Sequence, residues 1–172
     1  MKNFQFSIFN FQKERGFALL VAVIFMSVML SFGLALGSLG YKQQVLASSS
    51  VASQYAFYAA DAGLECVLYY DQRENVFAYE AYNGNPKNIT CEGAEVSVSQ
   101  APPTLIPPRQ LISTARVSLD SGRRCADVSV YKPRAGESSL TYLFAQGYDV
   151  PCATVANPNG ARFVSRGIYV RY

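Results

Sequence analysis

The chain has 172 residues, half of them hydrophobic and 16% charged, with a formal net charge of +3. That length holds one modest domain and an anchor rather than two large domains. Histidine and tryptophan are both absent, which excludes serine–histidine triads, histidine general bases and histidine-rich zinc or iron sites.

Residues 1–16 read as a polar leader with scattered Phe and Ile, ending in Lys13-Glu14-Arg15-Gly16. Residues 17–41, from Phe17 to Tyr41, carry no charged side chain. A helix of that length crosses roughly 30 Å of hydrocarbon with some tilt. Lys2, Lys13 and Arg15 precede the run, and after Lys42 Ser and Ala take over. This basic bias keeps the N-terminus in the cytoplasm and sends the remainder outward. The first proline is Pro86, so one helix can continue from the apolar run through residues 42–72. In this second half Val51, Tyr55, Tyr58, Ala62, Cys66 and Tyr69 recur at helical spacing, which predicts an amphipathic stretch ending near Asp71.

Residues 73–172 read as a β-sheet domain. Gln72 to Cys91 has loop composition around Asn83-Gly84-Asn85-Pro86. Glu95 to Gln100 alternates as a short strand, and the Pro-Pro pairs between Ala101 and Pro108 predict an extended connector. Strands are expected at Ile112 to Leu119, Cys125 to Tyr131, Leu140 to Ala145 and Phe163 to Tyr172, with a hairpin turn at Asp120-Ser121-Gly122. The expectation is an α+β fold: a long N-terminal helix whose exported half covers an antiparallel meander of about four main strands.

All four cysteines, Cys66, Cys91, Cys125 and Cys152, follow the apolar run. An even number in a small exported domain reads as two disulfides, and no C-x-x-C pair favours zinc. Three connectivities are open. Pairing neighbours, Cys66 with Cys91 and Cys125 with Cys152, closes short loops and is favoured.

The stretch Arg15-Gly16-Phe17-Ala18-Leu19-Leu20-Val21 resembles the processing site of type IV prepilins and general-secretion pseudopilins. The resemblance implies that a prepilin peptidase cuts on the cytoplasmic side after Gly16 and N-methylates Phe17. A residue without a side chain fits a narrow protease subsite, and the anchor stays attached after the cut. A second stretch, Gln54-Tyr55-Ala56-Phe57-Tyr58-Ala59-Ala60-Asp61-Ala62-Gly63-Leu64-Glu65, is similar to the region after the anchor in minor pilins and pseudopilins, where small residues suit close packing of helix on sheet. The resemblance is close over residues 13 to about 70.

The chain departs from the major-pilin pattern at the fifth mature position. Major pilins carry glutamate there, which meets the N-terminal ammonium of a neighbouring subunit; here the residue is Val21. A carboxylate in an apolar layer is costly without such a partner. Its absence points to a minor or tip pilin of a pilus, competence or secretion filament. The resemblance further implies a precursor in the cytoplasmic membrane, contacts with lipid before assembly, an inner-membrane assembly platform, and other pilin subunits met through the N-terminal helix. Gly33 and Gly37 form a GxxxG in the anchor, suited to close helix packing.

Other classes fit less of the chain. A conventional signal peptide with cleavage after Ala47 would need an apolar core far shorter than this one. A plain single-pass membrane-anchored binding protein is a further alternative. Asp61 and Glu65 lie one turn apart, but nothing completes an active site, so the chain is read as not an enzyme, with no cofactor and no metal. Removal of residues 1–16 leaves the remainder near neutral, which gives no electrostatic case for nucleic acid beyond a local patch at Arg123, Arg124 and Arg134.

Overall fold

The computed structural model describes residues 15–104, 109–137 and 140–172. The leader up to residue 14 and the centre of the proline-rich connector lie outside the described residues. Helix α1 runs Arg15–Glu74 over 60 residues. Six strands follow: β1 (Lys87–Cys91), β2 (Ala94–Gln100), β3 (Gln110–Leu119), β4 (Arg124–Pro133), β5 (Tyr142–Tyr148) and β6 (Ser165–Arg171), with a short helix α2 (Cys152–Ala156) before the last. The chain divides into two compact units, one ending at Ala47 and one spanning Ser48–Tyr172.

In the second unit the strands form one antiparallel sheet in sequential order β1 to β6. Every neighbouring pair is consecutive in the chain, which is the simplest way to build a sheet from short loops. The strand alternation puts Val96, Val98, Ala115, Val117, Val128, Val130, Leu143 and Ala145 on the buried face. The helix supplies Ala59, Ala60, Leu64 and Val67 to the same core. The fold class is therefore α+β with a pilin-like architecture: a long N-terminal helix packed on an antiparallel sheet.

Three details differ from the sequence reading. The sheet has six strands rather than about four main ones: the short strand expected at Glu95 to Gln100 is β2, and the loop-like segment after Pro86 contains β1. Its two inward residues, Ile89 and Cys91, are buried, too short an alternation to stand out beside a turn-rich flank. The helix extends past Asp71 to Glu74, where Asn75 takes a left-handed conformation (φ 52°) and the Val76 N–H returns to the Tyr70 carbonyl at 3.3 Å. The face that meets the sheet is also a different one. Tyr55, Tyr58 and Tyr69 are exposed. The buried face is Ala56, Ala59, Ala60, Gly63, Leu64, Val67 and Asp71.

Small residues on both partners explain that choice. A Cβ on Gly147 of β5 would stand 2.1 Å from the Ala56 carbonyl oxygen and 2.2 Å from the Ala60 nitrogen. A Cβ on Gly63 would stand 2.7 Å from the Ala126 Cβ. Backbone meets backbone here, so dispersion contacts are dense and no bulky side chain fits between. A tyrosine stripe would hold the helix away from the sheet.

Candidate functional site

Residues 16–47 of α1 are all exposed. Phe17 is 66% exposed, Val21 47% and Phe32 64%. The most apolar window has a mean hydropathy of 2.6, and among the described residues α1 is the one helix long and apolar enough to cross a membrane. Three of its serine hydroxyls are internally satisfied. Ser27 donates to the Ile24 carbonyl at 2.8 Å, Ser31 to the Ser27 carbonyl at 2.8 Å, and Ser38 to the Ala35 carbonyl at 2.9 Å. This back-bonding lets serine sit in hydrocarbon without an unpaired donor.

Gly16 and Phe17 lie in the first turn of α1. A Cβ built on Gly16, Gly33, Gly37 or Gly40 would meet nothing within 4 Å. Intramolecular packing therefore does not require glycine at any of these positions, although each costs about 1 kcal/mol of helix propensity relative to alanine in water.

In the second unit both disulfides hold chemically separate places. Cys66 joins Cys91, tying α1 to the end of β1, with a Cα separation of 5.9 Å. Cys125 joins Cys152, tying β4 to the start of α2, at 4.8 Å. These are the two pairs favoured from loop length. Each closes a loop of about 25 residues, worth about 3 kcal/mol by chain entropy.

Sequence reasoning missed a polar cluster at the end of the helix. Asp71 is fully buried. Its carboxylate accepts from Lys132 Nζ at 2.8 and 3.0 Å and from the Tyr172 hydroxyl. Burial, then the hydrogen bond to Asp71 and its charge, push the Tyr172 hydroxyl far above its ordinary value of 10.0. The three groups join α1, β4 and the residue after β6. The available signal was positional: Asp71 follows Val67 by one turn on the buried face, and Tyr172 continues the inward series of Ile168 and Val170. Asp61 and Glu65, the acid pair noted in the sequence, are half-buried and exposed respectively. In the basic patch Arg123 and Arg124 share Asp120, at 2.8 and 3.6 Å, and the Arg124 guanidinium also lies 3.7 Å over the Tyr55 ring.

Comparison with protein-family models, curated proteins and solved structures finds no match for this chain.

Proposed function

We propose that this chain is a minor or tip subunit of a type IV pilus or a related secretion or competence filament, made as a membrane-anchored precursor and cleaved after Gly16. The observation that carries the reading is the charge-free stretch from Phe17 to Tyr41, headed by Arg15-Gly16-Phe17 and continuous in one helix with a face packed on an antiparallel sheet. A signal peptide is discarded after cleavage and has no reason to share a helix with the folded domain. A pilin keeps both halves.

Further features support the reading. The satisfied serines suit a lipid or protein surround, and Gly33, Gly37 and Gly40 keep one side of the anchor open for close approach by another helix. Val21 in place of an acid argues for a subunit present in few copies, since it lacks the carboxylate that would pair with the N-terminal ammonium of its neighbour. The cytoplasmic N-terminus and exported sheet domain follow from the flanking charges.

Filaments sheared from cells and labelled with gold against an epitope on this chain test the proposal. Sparse labelling or labelling at filament ends, with a Gly16→Val variant retained uncut in the membrane, is the expected result. Uniform labelling at shaft stoichiometry contradicts the minor role. Complete absence from sheared material, with unaltered processing of the Gly16 variant, contradicts the filament reading.

A further inference from the structure

The face of the sheet turned away from α1 carries an arrangement that neither the anchor nor the core explains. Strand register places Ser99, Thr114, Ser129, Phe144 and Tyr169 in one row across β2 to β6. The adjacent row reads Arg116, Asp127, Gln146, Gly167, and the next Ile112, Tyr131, Tyr142, Arg171. The sheet is thus hydroxyl-rich at β2 to β4 and aromatic at β5 and β6. Ser97, Ser99, Thr114, Arg116, Asp127 and Ser129 line a shallow groove of about 490 Å³.

The aromatic side is exposed: Phe144 is 43%, Tyr142 44% and Tyr169 70% accessible. A solvated face of an antiparallel sheet is ordinarily polar. The Phe144 ring lies against Gly167, where a Cβ would stand 3.1 Å from two of its ring atoms. The glycine thus leaves room for the ring to lie low over β6. In the groove, Arg116 and Asp127 form a two-bond planar pair at 2.7 and 2.8 Å, and Tyr148 donates to the same carboxylate at 3.4 Å. This pair offers fixed donors and acceptors beside the row of hydroxyls.

Charge selects the ligand class. The outward positions of the six strands carry Glu95, Arg116, Asp127 and Arg171, two of each sign. A surface that binds a polyanion needs an excess of cations to replace condensed counterions, and this one has none. Exposed aromatic faces with a neutral set of hydroxyl and planar polar groups match a neutral polyhydroxylated chain. The C–H face of a sugar ring packs on aromatic carbon while its hydroxyls bond to planar side chains. We propose that this outer face binds a neutral oligosaccharide, with Phe144 and Tyr169 as stacking platforms and the Arg116–Asp127 groove as the hydroxyl-recognising side. The proposal is independent of the filament reading.

The full chain, purified in lauryldimethylamine oxide to avoid sugar-headed detergents, is mixed with neutral oligomers of glucose, mannose, galactose and N-acetylglucosamine. Saturation-transfer NMR reads ring-proton contact and titration reads affinity. Saturation transfer to at least one of the oligomers is expected. Its affinity should fall at least about tenfold in Tyr169→Ala and in Phe144→Ala, and stay unchanged in Tyr58→Ser on the helix. Tyr169 is the more exposed of the two, so its variant retains the fold if Phe144→Ala disturbs β6. Failure of every oligomer to bind, or binding that survives both substitutions, overturns the proposal. So does preferential binding of oligothymidylate with steep salt dependence.

Discussion

At the residue scale, Gly147 and Asp71 set the geometry of the helix–sheet contact. Gly147 faces helix backbone rather than a movable side chain, so neither the Ala56 carbonyl nor the Ala60 amide can yield without shifting α1. Gly147→Ala is expected to destabilise the second unit by about 3 kcal/mol or more, whereas Gly33→Ala in the anchor leaves urea unfolding of that unit unchanged. Asp71 is a buried carboxylate with two donors, and removing either leaves part of it unpaired. Because folding raises the Tyr172 hydroxyl above 10.0, the stability it contributes is fully present below pH 10. It is lost as pH rises above that value, since the unfolded chain releases the proton more readily than the folded one. Tyr172→Phe should lower stability by about 1 kcal/mol at neutral pH and flatten the decline above pH 10, read as urea midpoints across that range. An unchanged alkaline decline would show that Tyr172 does not report on Asp71.

At the scale of elements, the packed face of α1 is an alanine and glycine face, and the tyrosine stripe looks outward. Ala60→Leu should cost about 2 kcal/mol through overpacking against β5. Tyr58→Ser, at 63% exposure, should change thermal stability by less than about 0.5 kcal/mol. The opposite order would mean that the tyrosines are the packed face after all. Bulk makes the tyrosine stripe stand out in the sequence: Tyr weighs heavily in a periodicity, while Ala56, Ala59, Ala60 and Gly63 add little. Close approach is a property of the pair of surfaces, and Gly147, the glycine that faces Ala56 and Ala60, lies far along the chain in β5. What local pattern controls was legible. The proline-free run gave the long helix, and the inward series Ala115, Val117, Leu119 and Val128, Val130 gave β3 and β4 as observed. β1 escaped because only two of its five residues are buried.

For the whole molecule, one helix serves two surroundings. The part before Ser48 shows apolar surface on every side, and the part after it hides a single face under a sheet. The signals for these two regimes, an uncharged run and then an amphipathic stretch, are both written in linear order, so the architecture could be read before the fold was known. The Asp71–Lys132–Tyr172 cluster and the aromatic outer face could not. Each joins residues far apart in the chain, the first through helix–sheet packing and the second through sheet register. The reading of the chain as a filament subunit turns on what happens to its first residues, since anchored domains, signal-peptide precursors and pilins differ in the cut. Intact mass and N-terminal sequencing of the protein isolated from cell membranes test this most directly. A mature chain beginning at N-methylated Phe17 is the predicted result. A start at Ser48, or an uncut chain beginning at Met1, would contradict it.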